Sequence, residues 1–441
     1  MRRDVVARRP DAGLGGVHWA RVSREPHVAR PPIAGDLEVD LAVVGGGYTG
    51  LSIARAAAEE GASVAVFEAG RIGNGASGRN GGFVVPHFPG PIRVSDVVAI
   101  LGRRKGEALA ALVTEGPDRV MALVRRYQIA ADAEANGWIQ PAHSERSAAK
   151  VRAVFEDWRA FGAPVRWLGR EEIRRQTGSS TYLAGWTRAN GAMVNPAALA
   201  RGLARAAANA GVLLFEGSTV EAVADDGGRP VLTVNGHRVR ARTMALATNG
   251  HTGGLLPGAE RSLIPVNLFH TFTAPLPEET RARIMPERVP FTDIRKSGGF
   301  ARYDRDGRLI SGGAVFALAK GPRADIAHAR RRMADIFPDL GEPPIEAWWH
   351  GYCATTDNNL PRVQRLAPGV FSLAGYMTRG VSMSINAGEA LGRVLGGRGT
   401  LEDVPLEVAE GPVTVRLQPF KARAARLVFP VFAAMDRAGL S

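Results

Sequence analysis

Among its 441 residues the chain has a single cysteine, Cys353, and only five lysines. One thiol excludes an intramolecular disulfide and any multi-cysteine zinc or iron–sulfur centre, and it suits a reducing compartment. No uninterrupted apolar stretch reaches the roughly 18 residues of a membrane span. The first ten residues carry the charges of a signal peptide with no apolar stretch behind them, so a cytoplasmic protein is expected. Despite 53 Gly and 28 Pro, no Gly-X-Y period or sustained heptad is present, which excludes collagen-like and coiled-coil classes. The shortage of lysine changes how the net charge of +13 reads. Of the 56 basic residues 51 are arginines, and they are scattered rather than gathered into a stripe. A nucleic-acid footprint forms a stripe or sits in a recognisable module. No nucleic-acid partner is expected, and a basic nucleic-acid-binding protein is the remote alternative.

A prior of roughly 150 residues per domain suggests two or three domains. Residues 1–35 hold several Arg and Pro without clean periodicity and read as an arm on the surface. Residues 39–44 are a short apolar run ended by three glycines, as a buried parallel strand would be. Residues 48–60 read as a helix with Leu51, Ile53, Ala54, Ala57 and Ala58 on its apolar face. Residues 64–67 form the next strand, closed by Glu68, which completes a βαβ unit. Further on, 94–127, 144–162 and 196–210 read as helices and 212–215, 244–248 and 370–373 as strands. The stretch 263–313 is strand-like, and an Ala-rich helix runs to Leu395. An α/β part thus alternates with a more antiparallel one, so at least one domain is discontinuous.

Gly45-Gly46-Gly47-Tyr48-Thr49-Gly50 is a G-x-G-x-x-G motif with a strand before it and a helix after it. Gly45 permits the tight turn, Gly47 lets a pyrophosphate approach the backbone, and Gly50 lets helix and strand pack closely. The helix N-terminus offers free N–H groups and partial positive charge to phosphates. Glu68 can accept hydrogen bonds from the adenosine ribose, and its charge disfavours a 2′-phosphate. The motif alone does not separate FAD from NAD. Residues 70–82 add six glycines, Arg71, Arg79 and Ser77, a backbone able to wrap a second part of an extended ligand. Ala69, Ala76, Asn80, Gly81 and Gly82 belong to the same candidate loop.

These two blocks resemble the FAD-dependent amine and amino-acid oxidoreductases of the D-amino-acid oxidase superfamily, in particular its γ-glutamylputrescine oxidase-type branch. Supporting blocks are residues 247–250, 349–351, Asp357, 360–362, and 375–376 with 380–381. The resemblance covers most of residues 36–400. It implies an α/β, two-domain, glutathione-reductase-like fold. A Rossmann-type FAD-binding domain would take residues 36–90, 190–255 and 355–400. A mainly antiparallel-sheet substrate domain would take 91–189 and 256–354, with 401–441 as a C-terminal extension. FAD would lie extended and non-covalently bound, with residues 77–82 on its flavin side. Val220 would contact adenine through its backbone, and Thr248 and Gly250 would pass near the pyrophosphate. Gly375 to Val381, including Gly380, would close over the isoalloxazine, with the next helix N-terminus facing its C2 carbonyl. The implied reaction oxidises a C–N bond of a small amine or amino acid. Hydride passes to flavin N5, the imine is hydrolysed, and oxygen or quinone takes the electrons.

Two departures stand out. Cys353 falls out of register with the cysteine that attaches flavin in some branches, so a buried structural thiol is expected. Arg379 stands where close relatives tend to carry histidine. It reads either as a clamp for an acidic substrate group or as a ligand of FAD or neighbouring carbonyls. His350 and His270 are candidates for proton handling, with a structural role the ordinary alternative. Trp348, Trp349, Phe269 and Tyr352 are candidates for lining the pocket or packing the core. The basic, aromatic stretch 415–440 motivates an alternative, a peripheral membrane flavin dehydrogenase that reduces quinone. Pro419 and Pro430 interrupt that stretch, which favours packing on the FAD domain.

Overall fold

The structure, a computed structural model, describes residues 16–295, 298–314 and 321–418, together with Phe420, Val431, Phe432, Met435 and Asp436. Most of the stretch 415–440 and the first 15 residues lie outside the described residues.

Strand β1 (Leu37–Val44), helix α1 (Tyr48–Glu59) and strand β2 (Val64–Phe67) form the βαβ unit expected from the apolar spacing. β1 pairs in parallel with β2 on one side and with His237–Leu246 on the other. The nine-stranded sheet continues in parallel to Leu213–Phe215 beyond β2 and to Val370–Ala374 beyond His237–Leu246. Register decides where the site falls. Val44 stands level with both Phe67 and Leu246, and Leu246 with Ser372. The chain therefore leaves four strands at one edge, the position where open α/β sheets bind ligands.

The second part is mainly antiparallel. Strand β3 (Ile264–Pro275) lies between β4 (Arg308–Ala314) and β5 (Ile345–Thr355), with helix α2 (Pro322–Ile336) against this sheet. A five-stranded sheet of Phe300–Ala301, Phe291–Thr292, Trp138–Ala142, Ala184–Arg188 and Val165–Leu168 stands beside it. Helix α3 (Gly380–Leu395) returns to the first part and packs along α1. Their approach is close enough that a Cβ on Gly392 would stand 2.4 Å from the Ile53 carbonyl oxygen. The N-termini of α1 and α3 consequently open toward the same space.

The described part of the N-terminal segment, residues 16–35, is exposed at half of its positions, but residues 17–19 are buried. Val17 and Trp19 are each 1% exposed and pack with Phe272, Ile310 and Trp349. The apolar positions of this short segment have no period to betray them, so only their tertiary partners reveal their burial. Among the described residues no helix is long and apolar enough to cross a membrane.

Candidate active site

A cavity of about 1420 Å³ extends from the ends of the parallel strands to the three-stranded sheet. At its first end the local sequence builds the wall. Gly45 takes φ +107°, and a Cβ there would stand 3.0 Å from the Ala247 carbonyl oxygen. A Cβ on Gly50 would lie 2.0 Å from the Gly45 carbonyl oxygen, so only glycine lets α1 approach its own strand. Tyr48 N–H donates to Ser77 Oγ (2.9 Å), which ties the second glycine-rich loop across the helix start. A Cβ on Gly47 would stand 2.9 Å from that same oxygen, closing the space between the two loops. Other first-turn N–H groups of α1 have no intrahelical acceptor.

Glu68 stands beside this turn. Its carboxylate accepts from Gly46 N–H (2.8 Å) and Gly70 N–H (2.9 Å). Burial raises its pKa, and the two N–H groups oppose that rise. Each oxygen keeps a second lone pair for a ligand hydroxyl. Gly45, Gly47, Tyr48, Thr49, Glu68, Ala69, Arg71, Ala76, Ser77, Arg79, Asn80 and Gly81 line the cavity, as do Val220, Thr248, Gly380 and Val381. Gly50, Gly82, Gly250 and Gly375 do not. They stand behind the wall, where Cβ atoms would strike neighbouring atoms, such as Val194 O at 2.2 Å from Gly82 and Thr356 Cγ2 at 2.5 Å from Gly375. Arg79 also serves the loop itself. Its guanidinium donates to Asn74 O (2.7 Å) and His350 O (3.2 Å), binding the loop to β5.

At the other end the two candidate histidines separate. His270 on β3 is paired directly with Trp349 on β5, and Phe269 with His350. Directly opposed residues share a face of the sheet, and the next pair points the other way. His270 lines the cavity. Its imidazole packs on Phe300 and Trp349, its Nδ1 has no hydrogen-bond partner among the described residues, and burial pushes its pKa down to about 4. His350 is outside the cavity lining, on the face where Phe269 meets His328 of α2 and Trp348 donates to Asp325 of α2 (3.0 Å). His350, Trp348 and Phe269 share one face of the sheet and are outside the cavity lining, whereas Tyr352, of the same parity as His350, reaches the cavity nearer the end of β5. Trp349 lies behind the glycine loop, donating to Arg79 O (2.8 Å), and Tyr352 alone of the four aromatics lines the cavity.

Arg379 lines the cavity at the start of α3, 9% exposed. Among the described residues its Nε has no hydrogen-bond partner, and Nη1 reaches only Thr378 Oγ1 at 3.4 Å. Burial pushes its pKa down to about 10, and it remains a cation at neutral pH. The preceding Met377 and Thr378 have φ of +34° and +59°. Consecutive non-glycine residues in the left-handed region cost energy and tend to mark functional segments. Cys353 also lines the cavity with partial exposure rather than full burial, and desolvation pushes its thiol pKa up to about 11.

Other wall residues carry no sequence signal of their own. Asp293 and Arg295 line the cavity as a buried ion pair, and the Tyr182 hydroxyl donates to Asp293 (3.0 Å). His87 lies just behind Gly90 and accepts from the Trp158 indole at Nδ1 (2.9 Å). Burial first, and then the Arg379 charge, push its pKa to about 3. Among the described residues no cluster of His, Cys, Asp or Glu could hold a metal.

Known proteins place this architecture. A sequence model of the DAO family, described as FAD dependent oxidoreductase, matches residues 40–393. A probable oxidoreductase OrdL of Rhizobium meliloti is 30% identical over 394 residues, covering 88% of this chain and 90% of that protein. The gamma-glutamylputrescine oxidoreductase of Escherichia coli is 30% identical over 360 residues, covering 81% and 84%. The glycine oxidase structure from Geobacillus kaustophilus shares the fold with a TM-score of 0.66, 23% identity, and coverage of 84% and 95%. The chain belongs to the DAO family of FAD-dependent oxidoreductases.

Proposed function

We propose that the enzyme oxidises a C–N bond of a small amine or amino acid that carries an acidic group. The residues present fit FAD as the cofactor. The Gly45–Gly50 turn and the α1 N-terminus supply backbone donors for its phosphates, and the 77–82 loop stands on its flavin side. Glu68 supplies acceptors for the adenosine ribose, with Val220 and Thr248 beside it. Cys353, held as a neutral thiol, supports non-covalent attachment. The chemistry FAD supplies when bound is acceptance of a hydride equivalent from a carbon next to nitrogen.

The observation that carries the acidic substrate is Arg379. A buried guanidinium with an idle Nε is costly unless something anionic pairs with it. Among the described residues no ion pair joins Arg379, and Asp293 of the same cavity is already paired with Arg295. A carboxylate of the substrate accepts from Arg379 and orients the amine. His270, neutral across the physiological range, offers a hydrogen bond at the cavity wall rather than a charge. Water then hydrolyses the imine product, and oxygen or quinone removes the electrons.

An anaerobic flavin-bleaching screen over amines and amino acids tests this reading. Acidic amines should bleach the holoenzyme fastest. Neutral amines bleaching the native enzyme and Arg379→Leu equally well, with acidic ones inert, would discard the clamp. Oxygen uptake without added acceptor distinguishes oxygen from quinone.

A further inference from the structure

We propose that Trp19, Trp349 and Arg302 are positioning residues for the cofactor, acting through the loop 79–82. This rests on the reading of residues 76–82 as a cofactor loop. The four carbonyls of that loop run consecutively, and each is bonded from behind. Trp349 Nε1–H donates to Arg79 O at 2.8 Å, and Trp19 Nε1–H donates to Asn80 O at 2.8 Å. Arg302 Nη1 donates to Gly81 O (3.2 Å), Gly82 O (2.9 Å) and Val194 O (2.8 Å). None of the three donors lines the cavity. They come from positions 19, 302 and 349, remote in sequence from each other and from the loop.

The three donors also brace one another. The Arg302 guanidinium sits 4.9 Å from the Trp19 ring centre, and Trp19 meets Trp349 edge-on at 6.3 Å. Trp19 is anchored in turn by Asn195 Nδ2–H donating to its carbonyl (3.0 Å) and by the neighbouring His18–Asp304 contact at 3.0 Å.

Peptide geometry converts this bracing into a statement about the cofactor side. In a trans peptide the C=O and the following N–H point in opposite directions. Asn80 O is held toward Trp19, away from the cavity, so Gly81 N–H faces the cavity, which Gly81 lines. The neighbouring N–H groups are already engaged within the loop. Asn80 N–H donates to Ala76 O (3.1 Å) and Gly82 N–H to Asn80 Oδ1 (2.8 Å). Among the described hydrogen bonds the Gly81 amide has no acceptor. The cage therefore presents one fixed donor to the ligand, and Trp19 is the side chain that sets its direction.

Three variants test this by FAD affinity and spectrum rather than by turnover alone. Trp19→Phe and Trp349→Phe keep the rings and delete one donor each, and Arg302→Lys keeps the charge with fewer donors. Each should fold, with a weakened FAD dissociation constant of about fivefold to tenfold, the scale of one hydrogen bond. For Trp19→Phe the visible flavin band should shift, and kcat should fall while KM for the amine stays within about twofold. Gly47→Val is the control for the underlying reading, since it closes the gap to Ser77. If Gly47→Val abolishes FAD binding while the three variants bind and absorb like the native protein, the positioning role is wrong. If Gly47→Val also binds FAD normally, the cofactor-loop reading itself fails. A Trp19→Phe protein that does not fold leaves Trp349→Phe and Arg302→Lys to decide by the same readings.

Discussion

Across the cavity two walls face each other that are built by different rules. The wall from β1, α1 and the 70–82 loop is local, because one stretch of chain supplies the turn, the helix start and the carboxylate. The wall from β3 and β5 is a matter of pairing, because neighbouring residues on a strand face opposite ways. His270 and His350 show the cost of treating the second wall like the first. Both are histidines on adjacent strands near aromatics, yet one lines the cavity and the other packs toward α2. A single step of register exchanges their roles.

The largest break in this comparison should come from the local wall. Gly50→Val places carbon about where the Gly45 carbonyl oxygen stands and should leave purified protein with no detectable FAD. A yellow Gly50→Val protein with native flavin content would show that the turn tolerates expansion. Next, Arg379→Leu should lower kcat/KM for acidic amines about tenfold to 100-fold, the range of a charged hydrogen bond. Neutral amines should change far less, as steady-state kinetics on matched substrate pairs would reveal.

The paired histidines supply a smaller, sharper contrast. His270→Gln should reduce kcat/KM several-fold, on the order of one hydrogen bond, without moving the pH profile between 6 and 9. His350→Gln should leave kcat/KM within about twofold. Equal losses in the two variants would mean that strand parity does not decide which histidine serves the cavity.

Stability should respond to acid through the same buried groups. His270 and His87 have folded pKa values of about 4 and about 3, below that of an unfolded histidine. The unfolded chain therefore binds more protons as pH falls from about 6.5 toward 4, and stability declines across that window. Thermal melts should show His270→Gln losing less than the native protein between pH 7 and pH 4.5. The smallest effect belongs to Cys353→Ala. Acid precipitation should release free FAD from this variant and from the native protein alike, whereas flavin retained only by the native protein would indicate a covalent bond.

Legibility follows the same division. The spacing of Gly45, Gly47, Gly50 and Glu68 could be read because the strand–turn–helix they require is assembled within about 25 residues. Gly375 and Gly380 marked the loop over the cavity, although the left-handed pair Met377–Thr378 between them left no signature. Asp293, Arg295 and His87 were illegible, being ordinary residues whose meaning comes from what folds against them. The N-terminal segment was legible only in part, for a related reason. Its Arg and Pro content resembles an exposed arm, while Trp19 is buried through partners some 60 to 330 positions away.

By itself, then, the sequence determined the dinucleotide turn, its carboxylate and the glycine loop, since short-range sterics and helix geometry leave those residues few alternatives. The tertiary structure decided which histidine meets the cavity, that Arg379 stands buried with no counter-charge among the described residues, and that Trp19 reaches back to the loop. Each of those depends on strand register or on contacts between distant segments. No local pattern encodes them, because the free energy that selects them arises only when the layers close.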